Sequence, residues 1–258
     1  MLAIYQEDVR DLLRDDLGQF VRTLKINRYI NRARREVALR TGCIRCMVSG
    51  SSAAGSDATV GSSIVGSIIP GAVGNANFSN SLSIFNTIIE QERYPYSFAN
   101  PLVQQQNAGV KGVFEVYGVA VSWGGSRPAM GYMPWLDFQA YARATTQGMT
   151  SYPLIFTKYQ PGENGSIYLF PVPSISSEME WDCGCVPIPL IDDNTPEAIP
   201  APFTDAVKWY AVKLAYLASQ RFGMAETMEQ EFVNHLQVDN AATETGAIPT
   251  YYFADDGW

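Results

Sequence analysis

The stretch INRYINRARREV, residues 26–37, determines how the N-terminal part of the chain is expected to fold. Apolar side chains recur on one face of a helix expected over residues 23–41, and this stripe is Ile26, Ile30, Ala33 and Val37. Arg28, Arg32 and Arg35 fall on the opposite face, and Arg22, Arg34 and Arg40 are expected to flank the stripe. Gly42 follows where a helix ends, because glycine readily adopts the left-handed conformation. The stretch therefore predicts an amphipathic helix with a buried face and a basic face.

Three more helices are predicted from the same periodicity, so that helical sequence covers roughly residues 6–42 and 204–240. The first helix has the apolar face Val9, Leu12, Leu13, Leu17 and Phe20. The third is expected to begin with Thr204 as its N-cap and to end at Gly223, with the buried face Val207, Tyr210, Ala211, Leu214, Leu217, Ala218 and Phe222. The fourth has the stripe Met224, Met228, Phe232 and Leu236.

Sequence between the helical regions is typical of β-strands and loops. Residues 49–81 are rich in Gly, Ser, Ala and Asn and contain a single charge, which favours a functional loop or arm. Strands are expected at Ser83–Ile89, Gly112–Trp123, Leu154–Tyr159, Ser166–Pro171 and Glu178–Cys185. Residues 160–165, QPGENG, predict a hairpin between the third and fourth of these strands. Residues 135–144 favour a short helix.

We therefore expect an α+β fold in which an antiparallel helical bundle, built from both chain ends, carries a large β-rich insertion. The predicted divisions are 1–46 for the N-terminal helices, 47–200 for the insertion, 201–240 for the C-terminal helices and 241–258 for an extended tail. Residues 1–46 carry a net charge of +4, residues 47–203 of −7 and residues 204–258 of −5. A chain with a net charge of −8 is not a general nucleic-acid binder, although its basic helix could still contact DNA or an acidic partner.

Catalysis is not predicted. The chain lacks the P-loop, zinc-protease and serine-hydrolase motifs, and its one histidine, His235, is expected to be an ordinary helical residue. Glu178, Glu180 and Asp182 share one strand face, which favours a solvated surface over a glycosidase carboxylate pair. No cofactor is expected. The sequence also contains no apolar run that could span a membrane and no apolar core of a signal peptide, so a cytoplasmic origin without a membrane partner is the simplest interpretation.

Four cysteines lie where the chain enters and leaves the insertion: Cys43 and Cys46 on one side, Cys183 and Cys185 on the other. Four thiolates at the base of an insertion could bind zinc. The C-x-C spacing is unusual for such a site, and buried cysteines without a metal are common. The favoured interpretation is therefore that no metal is bound.

Aromatic residues near the C-terminus form the preferred functional element. Tyr251, Tyr252, Phe253 and Trp258 lie in an expected extended tail, with nothing local to bury them. Exposed aromatic rings are costly in water unless a partner receives them. The alternative is that the tail packs on its own domain.

The helix quoted above, with its Asn-Arg-Ala, resembles the long helix of head-to-tail adaptor proteins from short-tailed bacteriophages. The approach to the third helix, AIPAPFTDAVKWYAV at residues 198–212, fits the same family, as do Arg221 and Phe222. The resemblance covers both helical ends of the chain.

The resemblance implies a structural virion protein that forms a homo-oligomeric, dodecameric ring beneath the portal, links capsid to tail and surrounds the DNA exit channel. Tyr251, Tyr252, Phe253 and Trp258 would dock on the portal protein. Arg28, Arg32 and Arg35 would face the channel, with transient contact to packaged DNA, or the neighbouring subunit. The loop at 49–81 would meet the next tail component, a nozzle or fibre protein. The protein would lie at the head–tail junction of the virion, and in the host cytoplasm during assembly.

Two other functions remain open on the sequence. A receptor- or carbohydrate-binding tail protein would use Trp123, Tyr132 and Trp135 of the insertion to stack sugars. A tail-tube or stopper component of the same particle would share the structural role of an adaptor.

Overall fold

The computed structural model describes residues 1–15, 20–49, 85–122, 126, 128–144 and 150–244. These residues form a mixed α+β protein. Its helices are α1 (Leu2–Leu13), α2 (Thr23–Thr41), α3 (Asn100–Gln106), α4 (Trp135–Ala144), α5 (Thr204–Ala218) and α6 (Phe222–Glu244). Its strands are β1 (Arg45–Ser49), β2 (Arg93–Pro95), β3 (Val110–Val121), β4 (Gly131–Tyr132), β5 (Thr150–Ser151), β6 (Ile155–Tyr159), β7 (Ser166–Phe170), β8 (Val172–Pro173) and β9 (Met179–Pro187).

The chain divides into two compact units. Unit 1 contains Met1–Ile44 and Val186–Trp258, and unit 2 contains Arg45–Cys185. Unit 2 therefore ends earlier than the insertion expected over 47–200. The physical reason is that the segment 188–199 is hydrogen-bonded to α2 and not to a sheet.

Unit 1 is built on α2, which packs against α1 and α5, while α5 packs against α6. The predicted stripe of α2, Ile26, Ile30, Ala33 and Val37, is buried, and Gly42 ends the helix with a φ of 60°. In α1, Val9 and Leu13 are buried as predicted, whereas Phe20 is exposed. Leu17 lies outside the described residues.

The C-terminal helices correct several expectations. Helical backbone already begins at Phe203, so Thr204 is the first residue of α5 and not its N-cap. α5 ends at Ala218, and Phe222 starts the next helix with 66% of its surface exposed, because a turn at 219–221 rotates it away from the α5 core. α6 continues to Glu244, so residues 241–244 are helical and not part of an extended tail. Leu217, Ala218 and Met224 are exposed, while Phe232 and Leu236 are buried.

Unit 2 contains three small sheets: β1-β9-β3, β2-β7-β6-β4 and β5-β8. The predicted hairpin is confirmed, since β6 and β7 pair antiparallel with Ile155 opposite Phe170. The helix expected at residues 135–144 is also confirmed. The strand expected at Ser83–Ile89 is reduced, within the described part, to a single bridge between Asn86 and Glu178.

The core of unit 2 is aromatic. Phe85 meets the Trp181 ring edge-on at 4.9 Å between centroids and stacks on Phe98 at 5.3 Å. Trp181 is fully buried on β9, whose alternating inner face also carries Met179 and Cys183. Residues 50–81 of the predicted loop, Trp123, and the tail residues Tyr251, Tyr252, Phe253 and Trp258 lie outside the described residues.

A candidate interaction surface on the second helix

Helix α2 presents three sides with different chemistry. Its apolar side is buried within unit 1, as described above. A second side, defined by Leu24, Arg28, Arg32, Arg35 and Leu39, is exposed and is called the Leu–Arg stripe below. Steps of four, four, three and four residues keep these side chains nearly in line along the helix. The stripe is therefore about 22 Å long, at a rise of 1.5 Å per residue.

The Leu–Arg stripe combines apolar and cationic surface. Leu24 is 76% exposed and Leu39 is 39% exposed, although both belong to a well-packed helix. Among the described residues, Arg28 and Arg32 have no ion-pair partner. A stripe with leucines at its ends and arginines at its centre matches a partner with apolar ends and an acidic centre.

The third side of α2 holds the segment that returns from unit 2. The Asn31 amide nitrogen donates to the Leu190 carbonyl at 3.0 Å, and the Leu190 N–H donates to the Asn31 amide oxygen at 2.7 Å. One turn further on, an Arg34 Nη donates to the Ile188 carbonyl at 2.7 Å. These contacts fix the position of the segment beside the helix.

Arg34 also makes a buried ion pair with Glu197. Its guanidinium has no exposed surface and meets the carboxylate in bidentate fashion, at 2.6 Å from Nη2 to Oε1 and 3.0 Å from Nε to Oε2. The same carboxylate accepts the N–H groups of Ala198 and Ile199 at 2.9 and 3.0 Å. Burial, together with the nearby Glu197 charge, raises the pKa of the Tyr5 hydroxyl. Such a satisfied pair is a structural element of unit 1.

Sequence reasoning missed this pair. Arg34 was expected to flank the apolar stripe, whereas it is fully buried. The spacing of Asn31 and Arg34 places them on one side of a helix, but their partners come more than 150 residues later. The one sequence signal is the composition of residues 186–203. This stretch is rich in proline, which disfavours a helix or strand, and it contains the charged residue Glu197.

A second polar group fixes α6 beside the C-terminal end of α2. Arg40 Nε donates to Glu36 at 2.7 Å, and its Nη1 lies 3.5 Å from Glu229 on α6. Its guanidinium also lies over the Phe232 ring, 5.2 Å from the centroid. Lys213 of α5 pairs with the same Glu229. α2, α5 and α6 are thus joined at one place.

The residues that the sequence analysis considered for catalysis have the following neighbours. His235 stacks on Trp209 at 5.5 Å between ring centroids. Asp182 is paired with Arg45, whose Nε lies 3.2 Å from it, so this carboxylate belongs to the sheet surface. Glu180 faces Ser49 across the β1–β9 pair.

The cysteines of unit 2 are buried in the sheet. Cys46 lies directly opposite Cys183 in the β1–β9 pair. Burial raises the pKa of the Cys183 thiol, whereas a hydrogen bond with Cys185 lowers the pKa of the Cys46 thiol. Within the described part of the chain, no three His, Cys, Asp or Glu side chains are grouped so that they could hold a metal ion.

Two of the aromatic residues considered for sugar binding, Tyr132 and Trp135, lie within the described residues, and both contact neighbouring side chains. The Trp135 ring lies 4.5 Å from the Tyr159 ring and 4.9 Å from the Tyr168 ring, measured between centroids. Tyr132 is 55% exposed, but it lies beside Phe156 and under the Lys158 ammonium. Trp135 thus packs α4 against β6 and β7, and Tyr132 of β4 contacts β6.

In the described part of the chain, every helix is too short or too polar to cross a lipid bilayer. No protein-family model matches the sequence, and none of the curated proteins matches it.

Proposed function

We propose that this protein is a head-to-tail adaptor of a short-tailed bacteriophage, a structural component of the virion with no enzymatic activity. In this proposal it forms a dodecameric ring beneath the portal, links the capsid to the tail and surrounds the channel through which DNA leaves. It assembles in the host cytoplasm and remains at the head–tail junction. The observation that carries the proposal is the Leu–Arg stripe, an exposed surface on a helix that is held firmly on its two other sides.

The stripe is a suitable surface for the contacts of a closed ring. Identical copies arranged head to tail need two different surfaces on each copy. A helix whose buried side and return segment are both fixed presents such a surface with little loss of conformational entropy. Arg28, Arg32 and Arg35 would then face the neighbouring subunit or the channel. Because the whole chain is acidic, their contact with passing DNA would be transient.

The other parts of the chain take the remaining contacts in this proposal. The helices of unit 1 form the antiparallel bundle of the adaptor. Unit 2, with the loop at residues 49–81, meets the tail nozzle or fibre proteins. Residues 245–258, which follow α6 in the sequence, would dock on the portal protein through Tyr251, Tyr252, Phe253 and Trp258.

Truncation after Glu244 tests the proposal. The shortened protein should retain its helical circular dichroism but lose capture of the portal protein from a lysate of the source particle, because the aromatic contacts are gone. Capture is measured by pull-down with the tagged chain and mass spectrometry. Tyr251→Ala, Tyr252→Ala, Phe253→Ala and Trp258→Ala combined should have the same effect.

The matched control is Asp255→Asn with Asp256→Asn, which removes two charges from the same segment and leaves the four rings. This variant should still capture the portal. Undiminished capture by the truncated or ring-free chain would show that the tail is not the docking element, and capture of no portal by the intact chain would end the adaptor proposal.

A further inference from the structure

We propose that residues 245–258 dock along the Leu–Arg stripe of α2 in their own chain, and that a partner must displace them before the tail is available. This contact goes beyond the adaptor role, since it requires no portal and no ring. Its occupant is a segment that follows α6 directly, and its receptor is the exposed side of α2.

The order of aromatic and acidic residues along the segment matches the order of leucines and arginines along the stripe. Residues 245–258 read TGAIPTYYFADDGW and contain no basic residue. Three aromatic side chains, then two aspartates, then a tryptophan follow one another along the segment. The stripe, taken from its C-terminal end, offers Leu39, then three arginines, then Leu24.

The pairing follows from this order. Leu39 would receive rings from residues 251–253, the arginines would meet Asp255 and Asp256, and Leu24 would receive Trp258. A guanidinium also stacks well on aromatic rings, so mismatches of one position are tolerated.

The direction of α6 brings the segment to the correct end of α2. Arg221, just before α6, lies over the Phe20 ring at 4.9 Å, near the start of α2. Glu229 and Phe232 lie beside Arg40, in the last turn of α2. The two helices therefore run in the same direction, and α6 continues past the C-terminal end of α2.

The length of the segment is sufficient for it to fold back. From Phe232 to Glu244, α6 extends about 18 Å beyond Arg40 at 1.5 Å per residue. The fourteen residues after Glu244 span at most about 46–50 Å when extended. Returning to Leu39 uses about 18 Å of this length. With Tyr251 beside Leu39, the seven further residues to Trp258 span about 23–25 Å, slightly more than the roughly 22 Å length of the stripe.

A contact of this kind is easily displaced. Exposed ion pairs are individually weak, and ordering a segment of fourteen residues is entropically costly. Attachment to α6 compensates by giving the segment an effective concentration near the millimolar range. A portal groove that buries the same aromatic rings more completely would therefore compete successfully.

Photo-crosslinking of the full-length chain tests the contact. A benzoylphenylalanine side chain placed at position 252 is irradiated in dilute protein, and the crosslinked peptides are identified by mass spectrometry. The expected crosslinks join position 252 to residues of α2 within one chain. Arg28→Glu, Arg32→Glu and Arg35→Glu combined should lower their yield about tenfold, because attraction becomes repulsion along the stripe.

Two further variants separate docking from damage to the fold. Arg28→Lys, Arg32→Lys and Arg35→Lys keep the charges and should retain most of the crosslinking. Adding Asp255→Lys and Asp256→Lys to the triple glutamate variant reverses the charges of both the stripe and the segment. This combination should restore the crosslink yield. Circular dichroism checks that each variant is folded.

Three results would overturn the proposal: crosslinks to elements other than α2, crosslinks that join two chains, or a yield insensitive to charge reversal. The second result would mean that the stripe receives the tail of another copy. The Asp255→Asn, Asp256→Asn variant distinguishes this proposal from the adaptor proposal, because it should lose the crosslink and still capture the portal.

Discussion

Arg34 illustrates how one residue can have a role opposite to that of its neighbours in sequence. It stands between Arg32 and Arg35, which are exposed, yet it is fully buried against Glu197. Helical geometry explains the difference, since a step of one residue turns the side chain by about 100°. In this stretch Arg32 and Arg35 are therefore surface residues, whereas Arg34 binds the segment at 188–199.

Replacing Arg34 with alanine should destabilise unit 1 by about 3 kcal/mol, because Glu197 would remain buried without its partner. The loss is measured as the change in the free energy of urea unfolding followed at 222 nm. Arg32→Ala is the matched control and should change this free energy by less than about 0.5 kcal/mol. Equal losses in the two variants would show that the Arg34–Glu197 pair does not stabilise the fold.

At this scale, sequence periodicity predicts the exposed arginines of α2 but does not predict the buried one. Arg28, Arg32 and Arg35 are exposed as the pattern indicates. The burial of Arg34 could not be predicted, because its partner Glu197 is 163 residues away and belongs to no helix or strand.

The elements of unit 2 were predictable where their signal is local. Turn residues between two apolar runs fixed the β6–β7 hairpin, and α4 has the expected bounds. The start of α5 was not predictable from its capping residue, because Phe203 already has helical dihedral angles. The sheet order β1-β9-β3 was equally beyond a sequence pattern, since it pairs strands separated by most of the insertion.

The hairpin offers a test at the scale of an element. A Cβ atom at Gly165 would overlap the Tyr96 ring and lie 2.6 Å from the Gln160 carbonyl oxygen. Gly165→Ala should therefore destabilise unit 2 by about 1–3 kcal/mol, measured as a lower urea midpoint.

The control is Gly223→Ala, at a helical position in α6 with nothing within 4 Å of the added methyl group. It should leave stability unchanged or raise it by up to about 1 kcal/mol, because alanine favours the helix. A Gly165→Ala protein as stable as the parent would refute the close packing of the hairpin turn on Tyr96.

At the scale of the whole molecule, the chain leaves unit 1 and returns to it at neighbouring points. Arg45 lies directly opposite Gly184 in the antiparallel β1–β9 pair. Replacing residues 46–183 with an Asn-Gly turn should therefore leave unit 1 folded, since two residues suffice to join an antiparallel pair. Helical circular dichroism and a cooperative thermal transition are the measurements.

The same shortened chain carrying Arg34→Ala is the control and should melt at a lower temperature, because the buried pair lies wholly in unit 1. A shortened parent chain without a cooperative transition would show that unit 1 depends on unit 2 for its folding.

The discontinuity of unit 1 also sets an order of events on the ribosome. α1 and α2 are synthesised first, but α5, which packs against α2, follows only after the 141 residues of unit 2. At 5–20 residues per second, this delay is about 7–28 s. During that time the exposed arginines keep the nascent helix soluble beside its uncovered apolar stripe. Unit 2 has the opportunity to fold first, Glu197 then becomes available to Arg34, and α5 and α6 are added last.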